Sequence, residues 1–239
     1  MRFVTLKSLS AASLLVTLSC TIALAQSVSN QDFIKRGNAR YANAEYDSAI
    51  AEYRHVSPAA GDVYARALYN IGVCYYELGR TEAAIAMYRQ AIKVRSDYVK
   101  ALYALGVALE DLGRYQEAGE TYRAAIAVSG GRYALASFKL GVLAAGAGEY
   151  EVAETLFRES ISQSGDRLPT SHNNLGVMLA LAGNLNEAER EFRIALKQTD
   201  GTSADAKRNL SLCRSLMNAT AKAEVGSLQL AGKPDARIQ

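Results

Sequence analysis

The sequence predicts an all-α fold, a row of helix hairpins stacked in series and closed by one further helix. Three observations carry that expectation. First, one phrase returns five times along the 239 residues: "RGNARYANAE" at 36–45, "IGVCYYELGR" at 71–80, "LGVALEDLGR" at 105–114, "LGVLAAGAGE" at 140–149 and "LGVMLALAGN" at 175–184. Its first glycines, Gly37, Gly72, Gly106, Gly141 and Gly176, recur every 34 or 35 residues, the period of a helical repeat array and not of one globular core. Second, apolar residues inside each copy fall at three- and four-residue steps, with no alternation that would suit a strand. Third, a second glycine follows the first by seven residues in four of the copies (Gly79, Gly113, Gly148, Gly183), with Ala44 in the first, so each copy is cut into two helical periods.

Residues 1–25 stand apart from the repeats. Arg2 and Lys7 precede the apolar run "AASLLVTLSCTIAL", and Ala23-Leu24-Ala25 follows ahead of Gln26, which is the pattern of a secretory signal peptide cleaved after Ala25. The run is too short for the ~20 residues that span a bilayer. A competing reading makes Cys20 a lipidated N-terminus, although Leu18 lies one place nearer to it than lipoprotein signals usually put a leucine.

The repeats then occupy about 30–64, 65–98, 99–133, 134–168 and 169–203. In the first helix of the second copy Leu68, Ile71, Cys74 and Tyr75 share a face, and Gly79 supplies the left-handed residue that ends it. In the second helix Ala84, Tyr88 and Ala91 share a face. The other copies carry the same sizes at the same places: Ala49, Ala118, Ala153 and Ala188 twelve residues after the first glycine; Tyr53, Tyr122, Phe157 and Phe192 at sixteen; Val56, Ala125, Ser160 and Ala195 at nineteen. Glycine and alanine remove side chains where two helices meet, and the aromatic ring fills the space beside them. One hairpin cannot bury its apolar faces alone, whereas a series makes a continuous core.

After the fifth copy, "SADAKRNLSLCRSLMN" reads as a sixth first-helix without its partner, a capping helix over 203–218. Asn218 stands where the turn glycine would be, and Asn tolerates the same left-handed conformation. Residues 219–239 show no sustained period and read as a flexible tail.

With these residues in view, Leu68, Ile71-Gly72, Tyr75, Gly79, Ala84, Tyr88 and Ala91 stand as in the tetratricopeptide repeat, and the chain resembles that family in all five copies from residue 30 to about 200. It departs from the family where Ser137 and His172 replace a large residue ahead of the first glycine, in having no Trp, and in lacking the proline that commonly ends a repeat. The resemblance implies a right-handed α-solenoid of five hairpins plus the C-terminal capping helix, with a concave surface, lined by first helices, that holds a peptide or protein partner.

Helical spacing indicates which side chains line that surface. Val73, Val107, Val142 and Val177 follow the first glycine, and Ile34, Tyr69, Tyr103, Phe138 and Asn173 precede it by three, so the two rows share one helix face. Tyr76 extends the row, and Arg66, Lys100, Lys139, Glu77, Glu110 and Asp111 border it. An apolar strip rimmed by charge marks an interaction surface; the alternative is that these aromatics lean on a neighbouring helix as peripheral core. The family's carboxylate clamp, which holds a partner's C-terminal carboxylate, is matched in part by Asn38, Asn70 and Lys100, while Ile34 and Ala104 stand where further basic residues belong.

Other functions find little support. Without residues 1–25, 25 basic residues face 24 acidic ones, interspersed along the chain, which argues against a nucleic-acid or anionic-membrane partner. Cys74 and Cys213 lie about four repeats apart, on the order of 40 Å in a stacked array, too far for a disulfide. His55 and His172 have no partner at metal-ligand spacing, "GAGE" at 146–149 follows no strand, and no nucleophile sits beside a plausible base. The expectation is therefore a non-enzymatic, exported, periplasmic adaptor with no cofactor, metal or small-molecule substrate, touching a membrane only if Cys20 is lipidated. The alternative is an envelope lipoprotein that assists assembly of a pilus or secretion complex.

Overall fold

The computed structural model describes residues 30–218, 228 and 230–232. The signal sequence, its cleavage after Ala25 and Cys20 lie outside the described residues. The described chain is all-α, with no strand among the described residues, and divides into two compact units, 1–96 and 97–239.

The first unit holds α1 (30–42), α2 (Tyr46–Arg54), a short 3-10 turn (Pro58–Ala60), α3 (Asp62–Glu77) and α4 (Thr81–Val94). The second holds α5 (Val99–Asp111), α6 (Tyr115–Val128), α7 (Ala134–Gly146), α8 (Tyr150–Ser164), α9 (Pro169–Leu181), α10 (Leu185–Gln198) and α11 (Ala204–Asn218). Within the units each first helix packs on the second helix of its own copy: α3 on α4, α5 on α6, α7 on α8, α9 on α10. Further contacts, α2 with α3, α6 with α7, α8 with α9 and α10 with α11, stack one hairpin on the next. No described helix is long and apolar enough to cross a membrane.

The turn inside each hairpin has one chemistry. After α3, Gly79 takes φ +70°; its N–H donates to the Tyr76 carbonyl at 2.9 Å and the Arg80 N–H to the Tyr75 carbonyl at 2.9 Å, which satisfies two carbonyls the helix end leaves open. The same pair of bonds recurs after α1, α5, α7 and α9. In the first copy Ala44 holds the position at φ +58° although it carries a Cβ. Asn218, by contrast, is helical, and the non-glycine residues with positive φ among those described are Ala44, Asp166 and Asp200. The left-handed conformation that Asn218 could tolerate is therefore not used at the end of α11. The left-handed conformation costs an L-residue about 1 kcal/mol or more, and Asn adopts it only where a local bond or the path of the chain requires it.

Close packing explains the repeating residue sizes. A Cβ added at Gly37, Gly72, Gly106, Gly141 or Gly176 would come within 2.8 Å of the ring of Tyr53, Tyr88, Tyr122, Phe157 or Phe192 respectively, far inside ordinary carbon contact. Those five rings, and Ala49, Ala84, Ala118, Ala153 and Ala188, are all buried. Each hairpin is thus closed by a ring lying flat on a glycine of its own first helix. Cys74 and Cys213 are free and buried, as expected from their separation along the chain. α11 sets Ala206, Leu210, Cys213 and Leu216 against α9 and α10 and turns Lys207, Arg208, Ser211, Arg214 and Ser215 to solvent, a polar outer face for the last hairpin.

Candidate partner-binding site

The first helices carry the residues that spacing assigns to the binding face. In the first unit, Asn38 and Tyr41 of α1, Tyr53 of α2, and Tyr69, Asn70 and Val73 of α3 line a recess of about 310 Å³. The Tyr53 hydroxyl donates to Asn38 Oδ1 at 2.8 Å and Asn70 Nδ2 donates to the same oxygen at 3.2 Å. Burial pushes the Tyr53 hydroxyl up to about 12 and the Tyr69 hydroxyl up as well, so both remain neutral at physiological pH. Tyr69 is half-buried, its ring 5.9 Å from that of Tyr88; Val73 and Tyr76 are half-buried beside it on α3. Of the partial clamp, the structure brings Asn38 and Asn70 together, while Lys100 is an exposed residue of the second unit.

In the second unit Tyr103 and Val107 are half-buried on α5. The Tyr103 ring lies 5.9 Å from Tyr122 and meets Tyr133 edge-on at 5.5 Å, so it leans on the core with one face. Glu110, expected on the charged rim, is instead buried at 3 % exposure. Its carboxylate accepts from the Tyr122 hydroxyl at 2.8 Å and from Lys139 Nζ at 3.2 Å. Buried charge persists only where donors surround it, and two donors at helical positions on α6 and α7 supply them. Burial first, and the Glu110 charge second, push the Tyr122 hydroxyl far above its ordinary range.

The rows become more deeply covered along α7 and α9. Phe138, Val142 and Val177 are buried, and in α9 every residue from 171 to 180 is buried, including four polar ones. Each of the four side chains has a hydrogen-bonded partner, while the Nε2 of His172 itself makes no hydrogen bond. Ser171 bonds Ser160 at 2.9 Å. His172 sits between Glu191, 2.6 Å from Nδ1, and Asp166, 2.9 Å from Nε2; Glu191 comes from α10 and Asp166 from the turn after α8. Asn209 Nδ2 of α11 donates to Asn173 Oδ1 at 3.0 Å, and Asn173 Nδ2 donates to Asn174 Oδ1 at 3.1 Å.

The last member of this ladder reaches the C-terminal segment. Asn174 Nδ2 donates to the Ala231 carbonyl at 2.9 Å, and the Ala231 N–H donates back to Asn174 Oδ1 at 2.7 Å. Leu228 and Leu230 pack on the cluster that contains Phe138, Val142, Leu175 and Val177. Gly232, at φ +77°, lies against Phe138, whose Cζ would stand 3.0 Å from an added Cβ. A non-helical stretch of polypeptide therefore rests on the face formed by α7 and α9. Spacing reached Phe138, Asn173, Val142 and Val177 but not Asn174 or the tail. The available signal was the run "SHNN" at 171–174, polar at all four places where the second, third and fourth copies read "ALYN", "ALYA" and "ASFK".

Comparison with known proteins places the chain. Models of the tetratricopeptide repeat match residues 34–92, 120–169 and 138–204, and another matches 99–131; a TPR repeat model matches 72–113. The chain belongs to the tetratricopeptide repeat family. Similar solved structures include the MamA protein, 24% identical over 72% of this chain and 92% of that one, with a TM-score of 0.60. A tetratricopeptide repeat protein from Parabacteroides merdae ATCC 43184 is 18% identical over 80% of this chain and 74% of that one, at 0.63. YrrB, a TPR protein described as having an unusual peptide-binding site, is 20% identical over 69% of this chain and 82% of that one, at 0.56. No curated protein matches the chain.

Proposed function

We propose that this tetratricopeptide repeat protein is an exported, non-enzymatic scaffold that holds a segment of another polypeptide against the apolar face of its first helices. The observation that carries the reading is the seating of Leu228 and Leu230–Gly232 on α7 and α9: that face accepts a main chain through Asn174 and aliphatic side chains on the apolar cluster to which Phe138, Val142 and Val177 belong. Family membership supports a protein-interaction role, and the residues at 1–25 support export. The partner is a protein or peptide; nucleic acid, cofactor, metal and small-molecule substrate have no part in the reading. Cys20 offers the second reading, an envelope lipoprotein serving a pilus or secretion complex, and the intact mass of the mature chain separates the two, because lipidation adds an acyl increment and retains residues 20–25.

The test begins with crosslinking and co-purification of the partner from the exporting cell. Changing Tyr103 and Val107 together to Ser should weaken binding of that partner by ~2 kcal/mol or more, as for an aromatic anchor at an interface centre, while costing less stability than Tyr122→Ala. Unchanged affinity, or a variant as unstable as Tyr122→Ala, would defeat the groove on α5.

A further inference from the structure

We infer that Asn174 is a main-chain clamp selective for a Leu-x-Leu-Ala-Gly segment, and that Leu228 and Leu230–Gly232 of this chain are its resident occupant, which a partner segment of the same chemistry must displace. The inference rests on the reading of the first-helix face as a polypeptide site and names the ligand class for it.

A carboxamide presents one acceptor and two donors in a plane. Asn174 offers its Oδ1 to the N–H of Ala231 and its Nδ2 to the carbonyl of the same residue, so it pairs with the backbone as a neighbouring strand would and reads no side chain. The pose of the carboxamide is held from behind: Asn209 donates to Asn173 and Asn173 to Asn174 Oδ1. All three asparagines are buried, where a polar group left without a partner costs on the order of 1–3 kcal/mol. With the segment seated, main chain takes the place of water on the Asn174 carboxamide, and selection comes from what flanks it. Leu228 and Leu230 pack on the apolar cluster. Gly232 takes φ +77° with Phe138 Cζ 3.0 Å from where a Cβ would be. Any residue larger than glycine after the clamped one is penalised twice, by backbone conformation and by the ring.

The resident segment is tethered to α11. Tethering raises its effective concentration to about millimolar, so a free peptide of the same sequence competes weakly until the resident is released.

The experiment uses the full chain and a fluorescein-labelled, capped peptide of residues 226–233, GSLQLAGK. Leu228→Asp with Leu230→Asp releases the resident segment without touching a helix, and circular dichroism checks that helix content is kept. The peptide should bind this variant at least tenfold more tightly than it binds the unaltered chain. Two altered peptides then leave the protein untouched: one N-methylated at the alanine equivalent to Ala231, which removes the N–H donor, and one with alanine for the glycine equivalent to Gly232. Each should bind at least tenfold more weakly. Hydrogen exchange supplies a second readout, with the Ala231 amide protected in the unaltered chain and exchanging at least tenfold faster in the Leu228→Asp/Leu230→Asp variant. Equal binding of the peptide to both proteins, binding to neither, or an N-methylated peptide that binds as well as the parent overturns the clamp. A captured partner that binds the released variant no more tightly than the unaltered chain overturns the displacement and leaves the scaffold reading standing; loss of partner binding on Tyr103→Ser/Val107→Ser tests that reading separately.

Discussion

Replacing Gly106 by Ala, normally a stabilising change inside a helix, should here unfold the protein more easily. The new Cβ would lie 2.7 Å from Tyr122 Cδ1 and 2.9 Å from Cζ, and closer still to Cε1. Ordinary carbon contact begins near ~3.5 Å, so the ring must retreat by close to an ångström. It has nowhere to go, being fully buried and held by its hydroxyl on Glu110 at 2.8 Å. Overpacking of this kind costs about 1–3 kcal/mol, and straining a hydrogen bond to a charged group costs up to about 1.5–3 kcal/mol. Against this, exchanging helical Gly for Ala returns about 1 kcal/mol, which leaves a net loss of about 3 kcal/mol. Gly119 is the internal control: it is also helical and buried, yet an added Cβ there meets Arg123, Leu140 and Leu143 atoms at 3.6–3.9 Å, ordinary contact. Gly119→Ala should therefore gain up to ~1 kcal/mol from propensity alone. Urea unfolding followed by both far-ultraviolet circular dichroism and tyrosine fluorescence makes the comparison, coincident transitions showing that one free energy describes each variant. Gly106→Ala as stable as Gly119→Ala would refute the ring-on-glycine account of the repeat.

The buried Glu110 gives a second expectation: Lys139→Met strands its carboxylate and should cost about 3 kcal/mol, most of it recovered by adding Glu110→Gln, as measured by denaturant midpoints. Burial, with the Glu77 charge behind it, pushes the Cys74 thiol up to about 11, and burial with Glu189 pushes Cys213 up as well. Iodoacetamide should accordingly alkylate the folded protein at least about a hundredfold more slowly than the unfolded chain, and unfolded, unreduced mature protein should present two thiols; none in a monomer would contradict the structure. On the capping helix, the hydrogen bond from Arg214 is the main cause holding Glu189 below its ordinary 4.5, with Arg193 adding to it. A carboxyl depressed by folding stabilises above its unfolded value and loses that contribution as pH falls through the folded one. The unfolding midpoints of wild type and Arg214→Ala should thus converge on acidification, and a gap that stays constant with pH would contradict the pairing.

What could be read without coordinates follows from how local each cause is. The ring, the alanine and the two glycines of a copy act on each other within sixteen residues, and steric demand restricts each place to few residue types, so Gly106, Ala118 and Tyr122 declare their roles by size alone. The aromatic row was legible as a face, but Tyr103 serves both as face and as support for Tyr122, a division that helical spacing does not make. Glu110 sits at a rim position by periodicity; only the arrival of Lys139 from α7 and the Tyr122 hydroxyl beneath makes burial tolerable there. Asn174 and Ala231 are 57 residues apart, and the pairing uses backbone atoms, which every residue carries, so no pattern of residue types announces it. His172 likewise found Glu191 and Asp166 through the packing of α9 on α10 and the turn after α8.

The closure of each hairpin by its own ring bears on how such a chain lengthens. Gly37 meets Tyr53, Gly72 meets Tyr88, and so on to Gly176 with Phe192, always within one copy. A duplicated or deleted stretch of one period therefore carries both halves of every lock and orphans none, so whole copies are exchangeable cassettes in gene duplication and recombination. Insertion of a single residue in the second helix ahead of the ring has the opposite effect, rotating it about 100° off its glycine. Selection on this architecture thus tolerates changes of whole copies, and free drift of outward side chains, far better than any change of one residue in phase.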